Sequence, residues 1–279
     1  MTSLPVLPHP LSPHPPRPHN ARGRAPYTPD RLRADMAAHH LSLQKALKKY
    51  GLRRGELTLG AYRSARRALA ADRARGLAYM NPYARVVWES ALRRAIVARG
   101  LHAGPLHMLT VLHHPWHFGW GRWELDLPAI VAHARAALDG LSYLLLVEVA
   151  PLLYFGHRYL APHLHGFLFE DLSRRHRQRL AGHFAGGLGG APALLPKRVY
   201  DFAGASSYNV KPPAHMETCF TRSDGARRHR GRALWLTEHY FLWQHLHRHA
   251  YPELTFAGGA GTRVLRSASR EAGAGAACR

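Results

Sequence analysis

Pro162-His163-Leu164-His165-Gly166-Phe167-Leu168-Phe169 is the stretch on which the reading of this chain turns. In a strand, side chains two apart project to one face, so His163 and His165 point together while Leu164 and Leu168 turn to the buried side. Two imidazoles on one pleated face make a bidentate metal site. The chain carries 22 His, however, and a competing pair stands at His245-Leu246-His247. That pair falls in a segment with helical spacing, Ala233 to about His249, where residues two apart diverge by about 200° around the axis and cannot share an ion. There His245 and His249 share a face, as on a surface helix.

Working outward, Glu148 is the lone acid in the apolar run Leu144-Leu145-Leu146-Val147-Glu148-Val149. A buried carboxylate without a partner is costly, so Glu148 must face a cation or a polar cleft, unless the strand ends there and turns it to solvent. If the two strands are neighbours, Glu148, His163 and His165 form a two-His-one-carboxylate set. Such donors suit a divalent ion with open positions for a phosphate oxygen. Downstream, in Ala205-Ser206-Ser207-Tyr208-Asn209-Val210-Lys211-Pro212, Tyr208 and Lys211 share a face of a short helix. A phenol, with a pKa of about 10, becomes a nucleophile only where cations neutralise the group it attacks.

Composition sets the frame for that site. At 279 residues and 46% hydrophobic content, the chain can fill a real core. Lys and Arg number 39 against 17 Asp and Glu, a formal charge of +22 that attracts polyanions. Of those cations 34 are Arg and five Lys, in an Ala- and Gly-rich chain, so GC-rich coding accounts for part of the excess. The arginines cluster beside aromatics, which favours nucleic acid as the partner. Only Cys219 and Cys278 occur, so no disulfide framework is indicated and a reducing compartment fits. No stretch approaches the ~18 apolar residues of a membrane helix, and the N-terminus lacks a signal-type apolar region. The expectation is a soluble, cytoplasmic protein with no membrane partner.

Residues 1–30 carry nine prolines and are expected to be a disordered Pro/His-rich tail. Residues 31–103 have helical spacing, with helices expected over Thr58 to Ala74 and Tyr83 to Arg99. Arg63, Arg66, Arg67, Arg73 and Arg75 would line a polar face, either solvated or against DNA. From Gly104-Pro105 the pattern turns to strands: Leu106 to His113, Leu141 to Ala150 and His163 to Phe169. A helix starts at Asp126-Leu127-Pro128 and another, capped by Ser173, covers Arg174 to Leu180. Pro151, Gly156 and Pro162 mark a connection between the Glu148 and His163 strands, and Gly186 to Pro196 a flexible loop. Val199 to Phe202 reads as a short strand and Ala203 to Val210 as a short helix. We expect residues 104–215 to be the working domain, 216–256 a helical extension, and 257–279, rich in Gly, Ala, Arg and Ser, a disordered tail.

Leu109-Thr110-Val111 on a strand, Glu148 ahead of His163-Leu164-His165, and Tyr208-Asn209-Val210-Lys211 after them resemble the three ordered motifs of the HUH endonuclease superfamily. That group holds rolling-circle replication initiators, relaxases and single-strand transposases. The likeness covers about residues 104 to 215, and a single candidate tyrosine places it nearer the one-tyrosine initiators. It implies an α+β fold with a five-stranded antiparallel sheet, related to the RRM, the His pair on a central strand and the tyrosine on a nearby helix. It further implies that His163, His165 and Glu148 bind Mg²⁺ or Mn²⁺, that Tyr208 attacks the scissile phosphate to give a 5′-phosphotyrosine and a free 3′-OH, and that Lys211 steadies the phosphate. Tyr200 is a second tyrosine in this region, but no lysine follows it at that spacing and we read it as structural.

The implied partner is single-stranded or hairpin DNA at a replication origin, with host replication proteins as further partners. In His114-Pro115-Trp116-His117-Phe118-Gly119-Trp120-Gly121-Arg122-Trp123, the residues Trp116, Trp120, Arg122 and Trp123 either stack unpaired bases along a phosphate track or cap the core. Arg174, Arg175 and Arg177, and the run Arg227 to Arg232, are phosphate contacts or solvated faces. The same motifs admit a single-strand transposase of the same chemistry or a non-catalytic nucleic-acid binder; the histidine count alone admits a metal buffer.

Overall fold

The computed structural model describes residues 29–120, 125–188, 191–209, 215–221 and 227–273. Its centre is a long hairpin. Strand β3 (Tyr143–Tyr154) pairs antiparallel with β4 (His157–Leu168), with Glu148 directly opposite His163 and Leu146 opposite His165. The two turn residues, Phe155 and Gly156, both have positive φ, 46° and 81°. A two-residue loop with both φ positive matches the twist of the strands it joins. The expected connection is therefore the outer half of the hairpin. Its prolines are tolerated because each sits where the strand's outer edge has no partner strand among the described residues. Pro151 lies between the part of β3 paired to β8 (Thr255–Gly258) and the part paired to β6 (His215–Thr221). Pro162 lies between the parts of β4 paired to β1 (His107–Leu112) and to β2 (Phe118–Gly119).

The full sheet has eight strands with central order β5-β1-β4-β3-β6-β7, where β5 is Leu194–Arg198 and β7 is Arg227–Ala233. All pairings are antiparallel except β3 with β6. The protein is thus α+β with a mainly antiparallel sheet and the His strand inside it, but the sheet exceeds the expected five strands. The surplus comes from the region expected to be a helical extension, which supplies the β6–β7 hairpin and β8. In that hairpin the Arg227 to Arg232 run is a strand. The loop expected to end at Pro196 gives way to β5 at Leu194, two residues before that proline; the short strand expected over Val199 to Phe202 is not formed, since β5 ends at Arg198 and Phe202 opens the next helix.

Helices clothe both faces. α1 (Pro29–Ala46), α2 (Leu59–Ala68) and α3 (Pro82–Val97) come from the basic N-terminal region. α3 starts on the Asn81 side chain, which accepts from the Tyr83 and Ala84 amides, with Pro82 in the first turn. Arg63, Arg66, Arg67, Arg73 and Arg75 are exposed while Tyr62, Ala65 and Leu69 face inward. α4 (Leu127–Ala137) is capped by Asp126 and α5 (Arg174–His183) by Ser173. α6 (Phe202–Asn209) follows β5, then come α7 (Leu236–Leu246), the single turn α8 (Tyr251–Leu254) and α9 (Ala260–Glu271).

α9 corrects the expectation of a disordered tail from residue 257. Gly261, Val264 and Ala268 form a buried stripe at helical spacing, with the basic and Ser residues outside. Gly261 is needed there because a Cβ would collide with the Tyr143 carbonyl. One hydrophobic core runs from Leu43 through the sheet to Ala272, so the N-terminal helices and the C-terminal segment are built on the same core as the His strand.

Candidate metal centre

The sheet register fixes the site. Directly opposed residues share a face, so Glu148, His163 and His165 emerge together, with Thr110 beside His165 on β1. The His165 Nδ1 is 3.4 Å and the His163 Nε2 3.5 Å from the same Glu148 oxygen, Oε2. One donor atom from each of the three residues fits within 4.8 Å of the others. Those contacts are long for charge-assisted hydrogen bonds, which run about 2.7–2.9 Å. They match the separation of donors around an ion: ligands about 2.1 Å from a common centre at tetrahedral angles stand about 3.4 Å apart.

Glu148 and His165 are buried, and the second carboxylate oxygen, Oε1, is solvent-inaccessible with no hydrogen-bond partner among the described residues. Burial alone would push the Glu148 carboxyl up. Its hydrogen bonds and electrostatic interactions with His163 and His165 outweigh it and hold the group well below the usual carboxylate range. Glu148 is therefore an anion with spare acceptor capacity at neutral pH, which is what a cation site requires. His163 is oriented from behind: its Nδ1–H donates to the Ala161 carbonyl at 3.1 Å, leaving Nε2 facing Glu148. Such an outer bond fixes tautomer and ring angle in metal-binding histidines.

The N-terminal helix α3 and the turn before it reach the site, a contribution missed at the level of sequence. Tyr79 accepts from the Val149 amide next to Glu148, and Arg85, fully buried on α3, hydrogen-bonds Tyr79 and lies 4.9 and 5.5 Å from the Tyr79 and Tyr251 ring centres. The negative charge of Glu148 in turn favours the charged form of Arg85. A cavity beside the centre is lined by His165, Trp88 and Glu89 of α3 and Ser206 of α6. Among 39 cations one buried arginine has nothing in sequence to mark it.

Tyr208 lies on α6, two residues beyond Ser206, and is placed by its backbone alone. Lys211, Arg122 and Trp123 lie outside the described residues. Trp116 packs against His113, His133 and Phe184, and Trp120 stacks on Phe241 at 4.2 Å and donates to the Tyr159 carbonyl. Both are engaged in packed clusters. Arg174, Arg175 and Arg177 are exposed on α5, and the Arg177 Nε donates to the Leu172 carbonyl. α5 and α4 pack through Phe184 and His133 on His113, whose side alternates with Thr110, so these arginines lie on the sheet face opposite the centre.

The competing pair behaves as helix geometry requires. His247 follows α7 and its Nδ1–H donates to the Trp243 carbonyl, and His245 and His247 join no metal-type group among the described residues.

No family model matches the chain, and no curated protein or solved structure matches it.

Within the molecule, then, the firm result is a buried Glu-His-His group on a mainly antiparallel sheet that can hold a metal ion. No helix among the described residues is long and apolar enough to cross a membrane.

Proposed function

We propose that the protein is a metal-dependent enzyme that nicks and rejoins single-stranded DNA through Tyr208, initiating rolling-circle replication of a plasmid or phage. The observation that carries this is the convergence of His163 Nε2 and His165 Nδ1 on one Glu148 oxygen, in the motif order of the HUH endonucleases. The placement of α6, whose Ser206 shares a cavity with His165, supports it.

A divalent ion, Mg²⁺ or Mn²⁺, would supply polarisation of the scissile phosphate and neutralise its charge. His163, His165 and Glu148 would hold that ion. The Tyr208 oxygen gives up its proton and forms the new bond to phosphorus. The bond from phosphorus to the 3′ oxygen breaks, and that oxygen takes a proton to leave as a 3′-OH. The 5′-phosphotyrosine retains the diester energy, so attack by a 3′-OH reverses the step and joins ends. Lys211 is assigned to the phosphate. Positioning and charge neutralisation account for most of the rate in such transfers.

The substrate is single-stranded or hairpin origin DNA, drawn by the +22 charge, in the cytoplasm and alongside host replication proteins. Incubation of the full chain with Mn²⁺ and labelled single strands of the cognate origin is expected to give a covalent adduct that Tyr208→Phe abolishes. An adduct that survives that substitution, or none from the unaltered chain, refutes the assignment.

A further inference from the structure

Resting on the metal reading of Glu148, His163 and His165, we infer that His117 is a fourth protein ligand of this centre. The resulting three-imidazole, one-carboxylate set selects a first-row transition ion, Co²⁺ and more weakly Mn²⁺, over Mg²⁺.

His117 is held by the fold at the correct level of the His strand. It ends the turn His114–Trp116, its amide bonded to the His114 carbonyl, and directly precedes β2. β2 pairs with β4 as Phe118 opposite Leu160 and Gly119 opposite Tyr159. The next step of that register sets residue 117 at the level of Ala161, and opposed residues share a face, here the face of His163. Ala161 is also the residue whose carbonyl orients the His163 ring.

The side chain is left chemically unexplained by the protein alone. Both ring nitrogens of His117 are solvent-inaccessible and neither has a hydrogen-bond partner among the described residues. A buried polar atom without a partner is costly, and an imidazole has two. An ion accepting one nitrogen's lone pair satisfies one of them. Its neighbours on this side are His163, His114 and His113. His117 stands outside the three donors that already lie within 4.8 Å of one another, so ion binding must draw it inward.

Donor chemistry sets the selectivity. Imidazole nitrogen contributes little to Mg²⁺, which prefers oxygen and keeps its waters, whereas first-row transition ions bind it well. Each added imidazole thus widens the gap between the two classes.

Proton NMR of the full chain loaded with Co²⁺ counts the ligands directly, because each coordinated histidine keeps one exchangeable N–H that is shifted far downfield. Three such signals are expected, falling to two in His117→Gln. Calorimetric titration with Mn²⁺ and with Mg²⁺ is expected to show Mn²⁺ affinity reduced about 10–100-fold in His117→Gln with Mg²⁺ affinity within about threefold, the size of effect seen when a metal's supporting shell is altered. Two signals in the unaltered protein, or an unchanged Mn²⁺/Mg²⁺ affinity ratio in the variant, overturn the assignment of His117 while leaving the triad intact. No Co²⁺ binding at all, or binding undiminished by His163→Ala, overturns the centre itself and the proposed function with it.

Discussion

Glu148→Gln tests the centre with the least disturbance to the fold, since it keeps the shape and one acceptor oxygen and removes the charge. Without metal the cost is small. The two contacts to Oε2, at 3.4 and 3.5 Å, are long, so losing their charge assistance costs about 1–2 kcal/mol. With metal the effect is larger. The substitution removes the only carboxylate among the three donors and its spare Oε1. A 100-fold loss of affinity, about 2.7 kcal/mol, is the expected scale. An ion that binds only the folded state stabilises it by RT ln(1 + [L]/Kd), so Mn²⁺ at 100 times the wild-type Kd contributes about 2.7 kcal/mol to the wild type and about 0.4 to the variant. At roughly 2 °C per kcal/mol for a chain of this size, Mn²⁺ raises the wild-type Tm by about 5 °C and the variant's by about 1 °C. Thermal unfolding followed by circular dichroism, with and without Mn²⁺, reads both numbers. A variant that keeps the full Mn²⁺ shift refutes the role of Glu148 as a ligand.

Three further outcomes follow from the same geometry. His165→Leu, set among Leu144, Leu146 and Phe167, should abolish the Mn²⁺ shift while leaving the metal-free Tm within a few degrees; retention of the shift would exclude His165 as a donor. Burial holds the His239 pKa at about 4, so this group contributes stability that is full above its unfolded value of about 6.5 and is lost as pH falls from there toward 4. His113 and His245 act in the same direction, and Tm should decline across that window, a flat profile between pH 7 and 4.5 being the contrary result. Gly261→Ala places a methyl against the Tyr143 carbonyl and should cost about 1–3 kcal/mol or more by lifting α9 from the sheet, measured by urea unfolding; an unchanged midpoint would show that the C-terminal helix does not dock there.

Strand periodicity and the isolated acid were enough to pick out the donors. Alternation put His163 and His165 on one face, an apolar run made Glu148 conspicuous, and helical spacing disqualified His245 and His247. Caps were equally legible, as at Ser173 and Asp126, because a side-chain oxygen meeting an orphan amide is a local event. The register of β3 against β4 was not local. Pro151, Gly156 and Pro162 look like a connection until the neighbouring strands show where a missing N–H does no harm. The tail from residue 257 was misjudged because Gly and Ala composition signals disorder only when no surface awaits the helix, and β3 and α3 provide one.

Residue types at short spacing thus determined which atoms could bind an ion, since face and period are properties of a few consecutive residues. Whether those atoms meet was decided by the tertiary structure alone. The pairing that sets Glu148 opposite His163, the Arg85 buried near it and the β2 pairing that sets His117 along the same strand all depend on contacts between residues far apart in the chain, and no local pattern encodes such distances.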